Sequence, residues 1–275
     1  MGFFLALLYG LISGISEFLP ISSQAHQALF MQICGVPHRL PILDLCVHIG
    51  MLTAAYYTNH ALLMRLRREK QIRGTRRRSS GRLESAGTFD SRLVKSATVP
   101  MLILMLLYLI TAKYEFDPVP LSAFLVINGA VLLIPEYMRH GNKDARSMTA
   151  LDGIFLGIFS SVSFLPGISR IGAGISYSTG RCADRQNAIN WAMLLSMPAL
   201  LLLIVFDFIN LASFGACVDS FADVAGCIFA MVTSFVGSYL AIMGLRYLAD
   251  RAGFTGFAYY SWGVALFTFG LYLII

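Results

Sequence analysis

The chain has 275 residues, 57% of them hydrophobic and only 13% charged, with a formal net charge of +6. A soluble domain is roughly one quarter charged, so this composition excludes an ordinary water-soluble enzyme. The apolar residues fall in blocks near the roughly 20 residues that cross a bilayer as a helix, and backbone left unpaired in lipid forces helices there. The fold class expected is therefore an all-α polytopic membrane protein in a single membrane domain.

Residues 1–34 open the chain as an apolar stretch broken at Pro20. There is no basic region ahead of it and no small-residue cleavage site, so it is expected to stay in the mature protein. Around the break the sequence reads Glu17-Phe18-Leu19-Pro20-Ile21-Ser22-Ser23-Gln24-Ala25-His26. Residues 42–64 are the first full-length apolar block. Asp44 and His48 sit i,i+4 on it, either as partners of a site or as a solvated pair at a helix end. Residues 65–95 then hold eleven of the 21 Lys and Arg, diluted with Gly, Ser and Thr. This reads as a solvated cytoplasmic loop under the positive-inside rule. It does not read as a nucleic-acid site, because no aromatic suited to base stacking appears before Phe89.

Fixing that loop inside orders the rest. Block 93–112 runs outward and 121–138 returns to a basic stretch with Arg139, Lys143 and Arg146. Segment 151–180 follows, broken at Pro166-Gly167 within Phe164-Leu165-Pro166-Gly167-Ile168-Ser169-Arg170. Asp152 reads as a cap for the helix it precedes. Block 187–209 goes out, 224–245 comes back to Arg246 and Arg251, and 255–275 ends outside. Parity makes each broken segment enter and leave on one face, as a re-entrant hairpin or as two short spans. Hairpins are favoured, since the Pro-Ile-Ser-Ser and Pro-Gly-Ile-Ser tips need protein cover. Two halves result, 1–140 and 151–275, each a broken hairpin plus three spans. An odd number of spans inverts the second half relative to the first, a plan that builds a polar site near the midplane. Five scattered cysteines read mainly as small buried residues.

The two breaks carry the chemistry. Ser22 and Ser23 follow Pro20 at a helix start, where free N–H groups and a hydroxyl cradle phosphate. Ser23 and His26 share a helix face, so His26 is a candidate acid/base for a Ser23 nucleophile. Glu17 is a candidate to orient His26 or to ligate a divalent cation. Arg170 offers a planar fork for phosphate oxygens, beside Ser169. Ionisable residues in membrane segments are costly and mark function. The plainer readings are a structural Glu17–Arg170 ion pair, a capped core histidine and serines that only cap helices. On residues alone, the chain handles an anionic, phosphate-bearing ligand, and apolar surroundings suit a lipid-linked one.

At these residues the sequence resembles the undecaprenyl-diphosphate phosphatase family, the integral-membrane type associated with bacitracin resistance. That family carries Glu-x-x-x-Glu-Phe-Leu-Pro-x-Ser-Ser-x-x-His and a later Pro-Gly-x-Ser-Arg-Ser. Glu17 through Pro20, Ser22, Ser23 and His26 match the first; Pro166, Gly167, Ser169 and Arg170 match the second. Three positions depart: Ser13 stands where the first Glu falls, Ile171 follows the Arg, and Gly174 replaces a Thr. The resemblance implies hydrolysis of a C55 polyprenyl diphosphate to the monophosphate, recycling the carrier for peptidoglycan and envelope glycans. It also implies an Mg²⁺ or Ca²⁺ cofactor with Glu17 as ligand, Ser22, Gly167, Ser169 and Arg170 at the substrate, and a homodimer in the bacterial inner membrane, where the loop charges place both termini outside. The alternatives are a polyprenyl-phosphate transporter or a phosphatase of another lipid phosphate.

Overall fold

The computed structural model describes residues 2–36, 40–76, 86–138, 141, 143, 147–214, 221–249 and 253–274, with side chains placed for all of these except 69–76, 86–90, 214, 221–222 and 249. Eleven α-helices run through the described residues: α1 Phe3–Phe18, α2 Ser23–Ile33, α3 Pro41–Arg76, α4 Ala86–Met105, α5 Tyr108–Thr111, α6 Pro118–Tyr137, α7 Ala150–Ser161, α8 Arg170–Gly180, α9 Arg185–Phe214, α10 Phe221–Ala249 and α11 Thr255–Ile274. The β pairing among them is one isolated bridge, Lys143 with Ala183.

Among the described residues five stretches are long and apolar enough to cross a membrane: Ser91–Tyr114, Pro118–Tyr137, Arg185–Ser213, Asp223–Leu248 and Thr255–Ile274. They coincide with the five later blocks read from the sequence. Block 42–64 is also helical, but α3 does not join this set. The reason is its polar face, which is turned into protein. Tyr9 Oη donates to Asp44 at 2.5 Å, His48 Nδ1 lies 2.6 Å from Asp207 Oδ2, and Arg246 Nη2 donates to Asn59 Oδ1 at 2.7 Å. Asp44 and His48 are thus buried partners of α1 and α9, not a solvated pair at a helix end.

The basic stretch 65–95 is also more regular than a loop. Helix α3 continues to Arg76 and α4 begins at Ala86. Arg, Lys, Glu and Gln are good helix formers, so charge alone did not end the helix. Residues 77–85 lie outside the described residues, as do Arg139, Arg146, Cys217 and Arg251.

The broken segments are short. Helices α2 and α8 have 11 residues each, about 16 Å at 1.5 Å per residue, half of a bilayer's apolar core. Helix α1 packs on α10, and α7 on α4. Both contacts need glycine on the shorter helix. A Cβ on Gly14 would come within 2.9 Å of Ser234 Cα, and one on Gly157 within 2.9 Å of the Ala97 carbonyl carbon. Small residues let membrane helices approach this closely. Hydroxyls then bond across the seam, Thr233 to the Leu7 carbonyl and Ser238 to that of Gly14. At the start of the second segment Thr149 is the N-cap of α7, and Asp152, read from the sequence as the cap, is the third residue of that helix. It forms a capping box with Thr149, and it accepts from Arg181 Nε at 2.7 Å. Large exposed apolar side chains such as Leu109, Leu201, Leu240 and Leu266 face outward from the bundle, as lipid contact requires.

Candidate functional site

Each break ends one helix and starts another, and the two meet inside the bundle. Pro20 cannot supply the N–H that would continue α1, and Leu19 leaves the helix in an extended conformation. Ser22 then takes φ +69°, ψ 104°, a left-handed backbone that a non-glycine residue holds at a cost of about 1–3 kcal/mol. In the second break Gly167 takes φ +113° and lies so close to α6 that a Cβ would meet Phe124 Cβ at 2.8 Å. Ser169 caps α8, its hydroxyl accepting from Gly172 N at 3.2 Å.

One side chain ties the breaks together. Asn128, in the middle of α6 and fully buried, accepts from the Ser169 N–H at 2.8 Å through Oδ1. Its Nδ2 donates to the Pro20 carbonyl at 3.2 Å and to Ser261 Oγ at 3.0 Å. Ser169 Oγ adds a long bond to the Leu19 carbonyl at 3.4 Å. Sequence reasoning missed Asn128. Its signal is a lone amide in an otherwise apolar span, where an unpaired polar group is expensive.

The charged pair spans the same gap. Arg170 Nη2 is 3.4 Å from Glu17 Oε1, with both side chains buried. The other Glu17 oxygen, Oε2, accepts a 2.5 Å hydrogen bond from Ser23 Oγ. Arg170 Nε lies 3.4 Å from Ser163 Oγ, and its Nη1 has no protein partner. Glu17, Ser22, Ser23, Gln24, Ser163, Ile168, Ser169 and Arg170 line one cleft. Arg170 therefore points one donor-bearing arm at a carboxylate and leaves another without a partner among the described residues.

His26 does not do what helical spacing predicts. Its Nδ1 contacts the Ser22 carbonyl at 2.8 Å and its Nε2 the Tyr260 hydroxyl at 2.8 Å. A carbonyl only accepts, so Nδ1 carries the proton and Nε2 accepts from Tyr260. The ring also stacks on Tyr260, with centroids 5.6 Å apart. The hydroxyl of Ser23 goes to Glu17 instead, and His26 steadies the strained Ser22 carbonyl. Gly167 likewise shapes the turn against α6 and is not a wall of the cleft. Ser13 is buried with its hydroxyl unpartnered and lies outside the cleft lining, so Glu17 is the carboxylate there.

The set of oxygens bears on a divalent cation. Among the described residues no three of His, Cys, Asp or Glu lie together as a metal group. Both Glu17 oxygens already have partners. A divalent cation would have Glu17 as its one carboxylate in this cleft and would need phosphate oxygens to complete its shell, as Mg²⁺ commonly does.

The family model described as bacitracin resistance protein BacA matches residues 6–267. The chain is 31% identical over 272 residues to the undecaprenyl-diphosphatase of Carboxydothermus hydrogenoformans, covering 95% of this chain and 94% of that one. It is 30% identical over 268 residues to the undecaprenyl-diphosphatase of Jannaschia sp., covering 94% and 95%. With that of Methanobrevibacter smithii the identity is 28% over 277 residues, covering 96% and 95%.

Proposed function

The chain belongs to the bacitracin resistance protein BacA family, and from that premise we propose that it hydrolyses a long-chain polyprenyl diphosphate, undecaprenyl diphosphate, to the monophosphate. The observation that carries this reading is the buried chain Ser23–Glu17–Arg170 at the junction of the breaks. It sets a hydroxyl, its base and a phosphate clamp side by side, the parts that phosphoanhydride cleavage needs.

Arg170 Nη1 and the Ser22 and Ser169 hydroxyls bind oxygens of the terminal phosphate. Ser23 Oγ attacks its phosphorus and passes its proton to Glu17 Oε2, which the hydrogen bond already aims. The bridging P–O bond breaks and the lipid monophosphate leaves with that electron pair. Water then attacks the phosphoserine phosphorus, the Oγ–P bond breaks, Ser23 Oγ takes back the proton held on Glu17, and the water's oxygen and hydrogens leave in inorganic phosphate. The fork of Arg170 answers charge gathering on the equatorial oxygens, the main form of help in phosphoryl transfer. A divalent cation on the diphosphate beside Glu17 would neutralise further charge. His26 and Tyr260 act by position, holding Ser22 in its left-handed turn.

The membrane setting follows the same reading. Two inverted halves are supported by paired features: α1 on α10 against α7 on α4, Gly10 and Gly14 against Gly153 and Gly157, and Phe-Leu-Pro in each break. With basic stretch 65–95 cytoplasmic, both termini lie outside, in a bacterial plasma membrane, and two copies pair as a dimer. The test is phosphate release from undecaprenyl diphosphate by purified protein, with and without Mg²⁺ or Ca²⁺. Release that disappears in Ser23→Ala is expected. Intact release in Ser23→Ala would overturn the nucleophile, and no release under any cation would overturn the reaction.

A further inference from the structure

A second cleft adjoins the first and shares Ser23, Gln24 and Arg170 with it. Its remaining polar walls are Gln27 on α2, His48 on α3, and Asp207 and Asn210 on α9. Tyr108 and Phe206, stacked with ring centroids 6.0 Å apart, close its apolar side. Gln27, His48, Asp207, Asn210, Tyr108 and Phe206 take no part in the hydrolysis.

Two donors in this annex are buried and unanswered. Gln27 is 3% exposed and its Nε2 has no partner; Arg170 is 8% exposed and its Nη1 has none. A buried donor without an acceptor is costly, and natural structures keep such groups where something else supplies the acceptor. Unanswered donors on two residues that line one space, one of them on the wall shared with the first cleft, fit a ligand rich in acceptors. The carboxylate of Asp207 would repel an anion, but His48 Nδ1 sits 2.6 Å from its Oδ2 and holds it. The unpartnered Gln24 Oε1 adds one buried acceptor, matching the P–O–H that inorganic phosphate carries near neutral pH and that sulfate lacks.

We propose that this annex is a second oxyanion subsite, which receives the inorganic phosphate set free in the first cleft before it leaves the protein. The proposal rests on the hydrolase reading for its place in the reaction, though not for the binding itself. Arg170 at the shared wall would pass the phosphate from one cleft to the other, clearing Ser23 and Glu17 for the next lipid.

Inorganic phosphate alone is the probe, read by thermal melting of the full-length protein in detergent against chloride at equal ionic strength. The wild type is expected to melt higher in phosphate, and less so in sulfate. Gln27→Glu places a carboxylate at the donor and should raise the phosphate needed for half the shift at least tenfold; Asn210→Asp should do the same if Gln27→Glu does not fold. Ser169→Ala, which touches phosphate only in the first cleft, should lower the shift by less than either annex variant does. No phosphate-specific shift in the wild type overturns the proposal. So does a shift lost in Ser169→Ala and kept in both annex variants. Phosphate binding weakened in the annex variants, in a protein that hydrolyses no lipid diphosphate, would uphold the subsite and overturn the hydrolase reading alone.

Discussion

Replacing Asn128 by Ala tests whether the two breaks act as one site. Asn128 touches no charged group of the cleft, yet its amide holds Ser169 N, the Pro20 carbonyl and Ser261 Oγ at 2.8, 3.2 and 3.0 Å. Removing it leaves the buried Ser169 N–H without its acceptor, at about 1–3 kcal/mol, and forfeits two further bonds worth about 1 kcal/mol each. A mid-range total is about 4 kcal/mol. If three quarters of it falls on the alignment of Ser23, Glu17 and Arg170 in the transition state, the rate falls about 150-fold, at 1.36 kcal/mol per tenfold. The assay is phosphate release from undecaprenyl diphosphate at saturating lipid, beside a melting curve for the same preparation. Loss of kcat with a protein that still melts cooperatively is the expected result. A kcat within threefold of wild type, in a folded Asn128→Ala protein, would refute the idea that this amide aligns the breaks.

Other expectations follow from the same geometry. Arg170→Lys keeps a charge opposite Glu17 but loses the planar fork, and phosphate release should fall about 100-fold or more; a near-normal rate would remove Arg170 from the clamp. His26→Gln separates position from acid–base work: a positioning role gives a loss under about tenfold and an unchanged pH–rate profile, whereas loss of a general acid or base costs about 100-fold or more and alters the profile. Gly157→Val should lower the melting temperature, since the added side chain meets the α4 backbone and overpacking costs about 1–3 kcal/mol; unchanged melting would mean α7 and α4 are less tightly joined. Ser22→Gly should relieve the +69° strain and raise stability by up to about 1 kcal/mol, seen as a higher denaturation midpoint.

The parts of the fold legible in the sequence were those written in long-range composition. Apolar length marked five spans, and the two Phe-Leu-Pro repeats marked where helices would break and meet. Glu17, Ser23 and Arg170 stood out because ionisable and hydroxyl groups are rare in such surroundings. What stayed hidden depended on rotation and partners. The spacing of Ser23 and His26 put them on one face of an ideal helix, but the left-handed Ser22 just before α2 and the pull of Tyr260 on α11, 234 residues away, turned the imidazole elsewhere. Asn128 and Asp207 lie in mostly apolar spans, so nothing local told which neighbour each would find. The basic stretch after residue 64 misled for a simpler reason, because the residues that make it cytoplasmic also propagate α3.

The most direct test of hydrolysis at the joined breaks is a single turnover of undecaprenyl diphosphate carrying its label on the terminal phosphate, with excess purified protein in detergent. The label is expected to pass through Ser23, where it is found as phosphoserine on rapid quenching, and to end as inorganic phosphate with unlabelled lipid monophosphate. Lipid diphosphate that binds but is recovered intact, with no label on Ser23, would contradict hydrolysis and point to carriage of the lipid instead.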